Sequence, residues 1–547
     1  MIEREINGKA RLVGALTKYE LLCYEKYEPY SGEIVYSAEH IRRMARIINR
    51  ARAGARFGGA AKYAAIAAAA AFAVFGGYVT VEAMQNEIFG VPGDTDSMLE
   101  YTLSADKSEY TVTGIGSAEA GDIVIPAEFN GMPVTGIGEN AFRGNEKITS
   151  VVISNGIKSI GIGAFAECTN IRAVIMADSI EYTGADAFYK CYSLSEVVLS
   201  EGLRDIGASA FEKCTSLAEI NVPASVECLG YACFRDCESL TEVTLSEGLR
   251  IIYDYAFCGC KLLSEISLPE SLEYIGENAF YGCALKGKLE IRADVIGAGA
   301  FSDCAQITEL DVYAKSIGEN AFFGCQLLEK ASFEGLTELS DGFLESCSLL
   351  KEVTLPSGLK RIGERAFKSC HSLEYVVIPE TVEYIGDRAF SVTSIVSITI
   401  PAGVTEINDE VFWRCGNLRE VILPEGVERI GRGAFEDCGV LTKINFPSSL
   451  KKIDKNAFYG CEWLRRAELP EGLTHIGASA FENCTVMNYV YLPKSLVYIG
   501  RIAFYGDIRM NRFNYGGTAS EWKKITAINF CESGVTVECA DGEIEIN

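Results

Sequence analysis

This 547-residue chain has few histidines, and its basic residues are outnumbered by its acidic ones. Each of these two features argues against a class of function. The histidines are His40, His371 and His475, which leaves a histidine-based nucleophile triad little to draw on. His371 follows Cys370, but adjacent side chains point in different directions, so we predict no catalytic pair. The net charge of −25 argues against nucleic acid ligands, because their phosphates would be repelled. We therefore predict neither an enzyme nor a nucleic-acid-binding protein.

Charge is unevenly distributed along the chain. Residues 1–62 contain 12 Lys and Arg against 7 Asp and Glu, whereas the rest of the chain contains 38 against 68. The first segment is therefore positive by 5 charges and the remainder negative by 30. This asymmetry predicts two regions in different surroundings.

A repeat fills most of the chain. The block Ile-Gly-x-x-Ala-Phe-x-x-Cys-x-x-Leu recurs about every 23 residues. Its phenylalanine marks 17 copies, at Phe142, Phe165, Phe188, Phe211, Phe234, Phe257, Phe280, Phe301, Phe322, Phe343, Phe367, Phe390, Phe412, Phe435, Phe458, Phe481 and Phe504. A fixed period of about 20 to 29 residues is typical of leucine-rich repeats, because each coil can bury its apolar side only against the next coil. We predict a β-rich solenoid, a leucine-rich repeat array of about 17 coils over residues 142–506.

One coil illustrates the predicted local structure. The alternation of Ile220, Asn221 and Val222 predicts a short strand with its apolar side chains directed inward. Pro223 ends this strand because it lacks the N–H that a continuing ladder needs. Gly230 fits a tight turn that a side chain would hinder. The polar strand positions between the apolar ones therefore face outward.

Twenty cysteines raise the question of disulfides or metal sites. Fourteen of them lie three or four residues after a repeat phenylalanine: Cys168, Cys191, Cys214, Cys237, Cys260, Cys283, Cys304, Cys325, Cys347, Cys370, Cys415, Cys438, Cys461 and Cys484. A free cysteine behaves as a small buried hydrophobe, so we predict a reduced packing column. Parallel side-chain directions make bridging between coils awkward. No metal site is predicted, because no CxxC motif has a matching second one.

A few positions depart from this pattern. Asn145, Thr393 and Asp507 replace the column cysteine, and the first and last of these fall in terminal coils, where we expect exposure. Outside the column, Cys531 and Cys539 in the tail are the pair that the sequence favours most as a disulfide. Three short coils, around Phe301, Phe322 and Phe343, are expected to alter the local curvature.

Residues 63–81 have the features of a membrane span. They contain no charged residue over 19 positions, and a helix of that length just crosses a hydrocarbon core of roughly 30 Å. Basic residues precede the segment and acidic residues follow it. This asymmetry places the N-terminus in the cytoplasm and the repeats outside. A cleaved signal peptide and an alanine-rich soluble helix remain alternatives, although a leader of some 60 residues is long for a signal peptide.

The flanking segments follow from this span. Residues 1–62 form a predicted cytoplasmic segment whose basic juxtamembrane helix, capped by Ser37, acts as a stem. Residues 82–100 form an acidic linker. We expect the basic side of the stem to contact anionic lipid headgroups, with a retention signal or simple solvation as alternatives.

The repeat also resembles a known family. The stretch IGENAFYGC, followed by Leu, Val and Leu-Pro elements, is similar to the BspA-type leucine-rich repeats of bacterial surface proteins over roughly residues 101–530. Residues 101–141 and 507–547 look like the family's N-terminal and C-terminal caps. The resemblance implies surface display and attachment to host or matrix proteins, usually without catalysis. More faintly, residues 36–84 are similar to the N-terminal part of membrane-anchored proteins that resemble anti-sigma factors.

Two sets of outward strand positions are candidate ligand-binding residues. The first is an acidic column eight residues after the repeat phenylalanine, interrupted at Lys288: Glu196, Glu219, Glu242, Glu265 and Glu309. It is expected to attract a basic partner or a divalent cation, or to be simply a solvated acidic surface. The second lies further along the chain and is rich in typical interface residues: Tyr375, Glu420, Lys443, Arg466, Tyr489 and Tyr491.

The functional expectation combines these elements. We predict a single-span bacterial cell-surface protein, with a cytoplasmic N-terminus, whose extracellular repeats bind protein or glycan in adhesion to host or matrix. No cofactor is predicted. The alternative is a transmembrane sensor or anti-sigma-like regulator in which the repeats bind a ligand outside and the cytoplasmic stem responds.

Overall fold

The repeats form a β-solenoid of about 18 turns in a computed structural model, which describes residues 99–116, 121–507, 509–527 and 529–546. The leucine-rich repeat solenoid predicted from the sequence is thereby confirmed. The predicted cytoplasmic segment 1–62, the span 63–81 and nearly all of the linker 82–100 lie outside the described residues. Within the part of the chain that is described, no helix has both the length and the apolar character needed to cross a bilayer.

Most coils contribute two strands, which define two surfaces of the array. The outward side of the first strands is named the first-strand surface. These strands are β6 (Ser150–Ile153), β8 (Ala173–Met176), β10 (Glu196–Val198), β12 (Glu219–Asn221), β14 (Glu242–Thr244), β16 (Glu265–Ser267), β18 (Gly287–Arg292), β20 (Ile307–Tyr313), β22 (Lys330–Glu334), β24 (Glu352–Thr354), β27 (Ser397–Thr399), β29 (Glu420–Ile422), β31 (Lys443–Ile444), β33 (Arg466–Glu468), β35 (Tyr489–Leu492) and β37 (Arg512–Tyr515).

The second strands are short, and their outward side is named the second-strand surface. They are β7 (Ser159–Ile160), β9 (Tyr182–Thr183), β11 (Asp205–Ile206), β13 (Cys228–Leu229), β15 (Ile251–Ile252), β17 (Tyr274–Ile275), β19 (Val295–Ile296), β21 (Ser316–Ile317), β23 (Glu338–Leu339), β25 (Arg361–Ile362), β26 (Tyr384–Ile385), β28 (Glu406–Ile407), β30 (Arg429–Ile430), β32 (Lys452–Ile453), β34 (His475–Ile476), β36 (Tyr498–Ile499) and β38 (Thr526–Ala527). From β7 to β21 they form one continuous parallel ladder.

Antiparallel hairpins lie at both ends of the array. At the start, β1 (Leu99–Leu103) pairs with β2 (Tyr110–Ile115), followed by β3 (Asp122–Ile125), β4 (Glu128–Phe129) and β5 (Met132–Ile137). At the end, helix α1 (Ala519–Trp522) precedes β39 (Thr536–Cys539), which pairs with β40 (Gly542–Glu545). Exposed Glu543 and Glu545 place charge on the last strand. Such edges resist pairing with other chains.

A ladder of phenylalanine rings runs through the interior. The rings stack in parallel from Phe142 to Phe322 and again from Phe367 to Phe504. Within the first run, the ring centroids of Phe165 and Phe188 are 5.2 Å apart with an angle of 1° between the planes. Each such offset-stacked pair contributes about 0.5 to 1.5 kcal/mol beyond the burial of its area. The coils are therefore held at a regular step.

Leu344 replaces phenylalanine in one coil, so the sequence assignment of Phe343 to the ladder is wrong. In most coils, the N–H of the ladder phenylalanine donates to the carbonyl of the alanine that precedes the ladder residue of the next coil. The Phe322 N–H donates instead to the Phe343 carbonyl, at 3.3 Å, so Phe343 occupies the alanine position. The Cys370 thiol donates to the Leu344 carbonyl, where other thiols meet a phenylalanine carbonyl. Phe343 instead packs edge-on against Phe322. Cys347 thus lies three residues after its ladder residue, as in every other coil.

The column cysteines are free and buried, as predicted. They also act as hydrogen-bond donors, a role that the sequence did not suggest. Each of the fourteen thiols donates to the carbonyl of the ladder residue in the preceding coil. Examples are Cys168 to Phe142 at 2.9 Å and Cys214 to Phe188 at 3.3 Å. Burial raises the pKa of Cys168 to about 11, so its thiol keeps the proton that this bond needs.

The tail cysteines do not form the expected disulfide. Cys531 and Cys539 are both free and buried. Burial raises the pKa of the Cys531 thiol to about 12 and also raises that of Cys539. Because the thiolate is the species that forms a disulfide, burial disfavours this bridge.

Asp507 takes the cysteine position in the last phenylalanine coil, and the expectation that it is exposed is wrong. The residue is 1% exposed. Its Oδ1 accepts a bond from the Cys484 backbone N–H at 2.8 Å. Oδ2 has no hydrogen-bond partner among the residues that the structure describes. Burial, together with the nearby charges of Glu532 and Glu482, raises the pKa of this carboxyl to about 8, although the bond from Cys484 acts in the opposite direction.

The first prediction concerns the phenylalanine ladder. Replacing the fully buried Phe257 by alanine should cost about 3 to 5 kcal/mol, because it removes a ring that stacks on both neighbours. Tyr192→Ala, at a 42% exposed position, is the matched control and should change stability by about 0.5 kcal/mol or less. Urea unfolding followed by hydrogen exchange of the neighbouring coils measures both. Equal costs for the two variants would contradict a stabilising ladder.

The second prediction concerns pH. Because the folded pKa of Asp507 exceeds the ordinary value of 3.8, its contribution to stability is largest below pH 3.8 and is lost as pH rises through about 8. Asp507→Asn keeps the acceptor for Cys484 and removes the charge, so it should stabilise the final coils at pH 9 by about 1 to 3 kcal/mol.

Hydrogen exchange of the final coils between pH 5 and pH 9 gives the measurement. The advantage of the asparagine variant should grow with pH. Glu545→Gln, at an exposed position in the tail, should show no such trend. An advantage for Asp507→Asn that is constant across this range would contradict a buried titrating carboxyl.

Candidate binding surface

The first-strand surface presents residue columns because the strands stack in register. In β12, Ile220 is buried while Glu219 and Asn221 lie toward the outside. Glu219 pairs with Glu242 of β14, which pairs with Glu265 of β16. Parallel strands in the same register place equivalent side chains one above another. A ligand on this surface therefore meets columns built from one position of successive coils.

The predicted acidic column is only partly paired within one ladder. Glu219, Glu242 and Glu265 are direct neighbours, but Glu196 lies on β10, in a separate sheet, opposite Ala173. The carboxylate of Glu265 is 2.9 Å from the Lys286 ammonium. The structure therefore places three of the five residues in one ladder, with Glu196 on the contacting strand of the preceding coil and a cation at the other end.

Glu309 belongs to a stretch of alternating charge. Its register partners are Lys288 on β18 and Lys330 on β22, and Lys330 in turn pairs with Glu352 on β24. The ammonium of Lys330 lies 3.6 Å from the Glu352 carboxylate. Alternation of sign along the column compensates much of its charge.

The second candidate set is divided between two sheets. Glu420 and Lys443 are register partners on β29 and β31 and form an ion pair. Arg466, Tyr489 and Tyr491 lie in the sheet that runs from β33 to β40. The structure thus brings each group together without joining the two groups in one sheet.

Arg466 and Tyr489 form the most organised contact of this set. They are register partners on β33 and β35. The Arg466 guanidinium lies 5.0 Å from the centre of the Tyr489 ring and 2.7 Å from the Glu468 carboxylate. Both contacts hold the arginine side chain in place while it remains exposed. A pre-positioned arginine on an aromatic ring loses little freedom when it binds a partner.

Tyr491 extends this cluster toward the C-terminal cap. Its backbone pairs with Glu468 on one side and Asn514 on the other. The hydroxyl donates to the Glu471 carboxylate at 3.1 Å. Partial burial, followed by that bond, raises the pKa of the phenol, so the group stays a neutral donor at physiological pH. We name Arg466, Tyr489 and Tyr491 the arginine–tyrosine cluster.

Tyr375 lies apart from this cluster, in a coil with no first strand. Residues 373–379, between β25 and β26, form no strand, and Tyr375 and Val377 are 63% and 85% exposed. The sequence singled out Tyr375 but missed Val377, since the repeat phase alone does not show that this coil lacks ladder bonds.

Sequence reasoning also missed two exposed tyrosines that lie just after second strands. Tyr253 stands where most coils have glycine, and it is 44% exposed. At the equivalent Gly230, an added Cβ would lie 2.5 Å from the Ile206 carbonyl oxygen. Tyr231 in the preceding coil is 47% exposed. Loss of the repeat glycine was a signal in the sequence that would have identified Tyr253.

Comparison with known proteins identifies the architecture. A family model described as BspA type leucine rich repeat region matches residues 135–260, 227–315, 294–419 and 405–533. The matched stretches adjoin or overlap, and they include all the candidate residues on the first strands. The chain belongs to the BspA-type leucine-rich repeat family. No curated protein sequence matches it significantly.

Solved structures of bacterial repeat proteins are similar to this BspA-type chain. A leucine-rich repeat protein from Bacteroides ovatus is 27% identical, with a TM-score of 0.44, and the match covers 73% of this chain and 94% of that one. A leucine-rich repeat protein of T. pallidum is 28% identical, with a TM-score of 0.33 and coverage of 40% and 90%. A leucine rich cell surface protein from Faecalibacterium prausnitzii is 23% identical, with a TM-score of 0.27 and coverage of 80% and 97%.

BspA-type solenoids are typically binding proteins rather than enzymes. This agrees with the organisation of the first-strand surface, whose side chains change from coil to coil while the interior stays constant. Function in such arrays depends on the outward residues and not on the fold itself.

Proposed function

We propose that this BspA-type protein is displayed on the bacterial cell surface and adheres to extracellular protein through the arginine–tyrosine cluster. The observation that carries the proposal is the contact between Arg466 and Tyr489, an exposed guanidinium held on an aromatic ring by residues of adjacent coils. Arginine and tyrosine are among the residues that contribute most binding energy at protein interfaces.

The neighbourhood of the cluster supports a protein partner. Trp463, on the turn that leads into β33, is 55% exposed, and Tyr491 presents a neutral hydroxyl beside Glu471. Aromatic rings, one arginine and carboxylates at the margin are typical of a protein interface. The acidic stack of Glu219, Glu242 and Glu265 lies many coils away, so it would act on a different part of a long ligand.

Display at the surface is proposed from the sequence. The uncharged segment 63–81, with basic residues before it and acidic residues after it, supports a single span with the repeats outside. The net negative charge of the repeat region agrees with exposure to solvent rather than contact with anionic lipid. Adhesion through a long first-strand surface would then allow several contacts with one extended partner.

Protease treatment of intact cells tests display. Trypsin should release fragments of the repeat region and leave residues 1–62 protected, because the membrane separates the two. Mass spectrometry of the released and retained peptides makes the measurement, and lysed cells provide the control in which both regions are cleaved. Protection of the repeats in intact cells would overturn the surface location.

Substitution of the central pair tests the interface. Cells that express the full chain with Arg466→Ala and Tyr489→Ala should adhere at least tenfold less to matrix laid down by cultured epithelial cells, since each hot-spot residue contributes roughly 2 kcal/mol or more. The matched control is Arg361→Ala with Tyr384→Ala, a second guanidinium–ring contact of 4.2 Å on the second-strand surface.

Adhesion of the control should equal that of the unmodified chain. Equal adhesion by the cluster variant, with equal amounts of protein at the cell surface, would move the binding site away from this cluster. Equal loss in both variants would indicate a structural rather than an interfacial effect.

A further inference from the structure

A cleft of about 470 Å³ opens where two short coils follow each other. It lies beside the Ala-Phe turns, away from both strand surfaces. Tyr281 and Phe323, which directly follow the ladder residues Phe280 and Phe322, stand on either side. Between them, the coil of Phe301 carries only the small Ser302 at the equivalent position. The cleft therefore has two aromatic walls and a floor without a large side chain.

The spacing of the walls follows from the ladder. The ring of Phe301 is 5.0 Å from that of Phe280 and 5.6 Å from that of Phe322. Tyr281 and Phe323 are thus separated by two coil steps, with one step left vacant by Ser302. Tyr281 is 41% exposed, so its ring is accessible to a bound molecule.

Amide and carboxylate groups complete the lining. Asn278 and Asn320 have left-handed backbone conformations, with φ of 51° and 54°, which asparagine adopts more readily than most residues. The turn itself thus places two amides at the cleft. Asp303 and Glu319 add carboxylates. None of the lining residues, all of which the structure describes, is basic.

The mixture of groups defines the ligand chemistry. The asparagine amides and the Ser302 hydroxyl both donate and accept hydrogen bonds, as saccharide hydroxyls do. The Tyr281 hydroxyl already interacts with the Asp303 carboxylate, so Tyr281 offers its ring to a ligand. Aromatic rings pack against the C–H faces of a sugar. Carboxylates accept from hydroxyls but repel anions. A lysine or arginine side chain would pair with the carboxylates but only donates hydrogen bonds, so it offers no acceptor to the amide N–H groups of Asn278 and Asn320.

We propose that this cleft, walled by Tyr281 and Phe323, binds a neutral saccharide. Its volume is within the range of small-molecule sites, which combine aromatic surface with a few polar groups. The site is separate from the arginine–tyrosine cluster, and it adds a glycan-binding function to the proposed protein adhesion without depending on it.

The repeat supplies substitutions that preserve the fold. In two other coils the position after the ladder phenylalanine is a small residue, Ala166 and Ser391, so Tyr281→Ala and Phe323→Ala place residues that the turn accepts. The same position is tyrosine at Tyr189 and Tyr459. Ser302→Tyr therefore fills the cleft with a ring at a position where the array already tolerates one.

Tyr505→Ala is the matched control. Tyr505 follows ladder residue Phe504 and is 50% exposed, so it has the same place in its coil but lies far along the array from the cleft. Circular dichroism and limited proteolysis establish that each variant is folded before binding is compared.

The experiment uses the purified full chain in a zwitterionic detergent that carries no sugar headgroup. It is applied to an array of neutral, sialylated and sulfated oligosaccharides, and the best neutral oligosaccharide is then titrated by calorimetry. We expect neutral glycans to bind, Tyr281→Ala and Phe323→Ala to weaken binding at least tenfold, and Ser302→Tyr to abolish it. Tyr505→Ala and the Arg466→Ala, Tyr489→Ala variant should bind as the unmodified chain does.

Three results would overturn the proposal. They are absence of binding to every neutral glycan at millimolar concentration, preference for the sialylated or sulfated glycans, and binding that survives all three cleft substitutions. A short arginine-rich peptide could also displace the glycan. If the cleft substitutions weaken binding of that peptide too, the cleft is instead a site for a cationic protein segment. Adhesion of the cleft variants to matrix is measured in a separate assay. A negative result for glycan binding therefore does not affect the test of protein adhesion.

Discussion

The coils of this solenoid can bury their apolar sides only against one another, and every other feature depends on that contact. Two interactions repeat at most junctions: a phenylalanine ring stacks on the next ring, and a cysteine thiol donates to the ladder carbonyl of the preceding coil. The first fills volume, and the second adds a thiol donor to a carbonyl that already accepts the backbone N–H three residues on in its own coil. Together they explain why both residue types recur while the residues between them vary.

A constant interior leaves the surface free to change. Because neighbouring strands are in register, a substitution at an outward position alters one place in a column without disturbing packing. The acidic stack at Glu219, Glu242 and Glu265 and the guanidinium–ring contact of Arg466 and Tyr489 occupy the same column of the same scaffold. The cleft at Ser302 follows the same logic beside the turns, where one small residue between two aromatic ones creates a concave site.

A few coils depart from the repeat, and in them a changed residue alters the local hydrogen bonds or strand pairing. Leu344 interrupts the ring stack, and the coil carrying Tyr375 and Val377 lacks its first strand, so the first-strand sheet is divided there. Asp507 stands in place of a thiol that would donate to the preceding ladder carbonyl, and its Oδ1 instead accepts from the backbone N–H of Cys484. Each exception changes the local bonding while the rest of the array continues.

The sequence by itself determined the fold, the family and the inward direction of the ladder and cysteine columns, because a fixed period with apolar residues at fixed places has one stable arrangement. It did not determine which of Phe343 and Leu344 enters the ladder, since both are apolar and only the hydrogen-bond register chooses between them. Nor did it show that Asp507 is buried or that Tyr281 and Phe323 face one cleft. Those facts depend on contacts between coils, 21 or more residues apart in the chain, which only the stacked structure brings together.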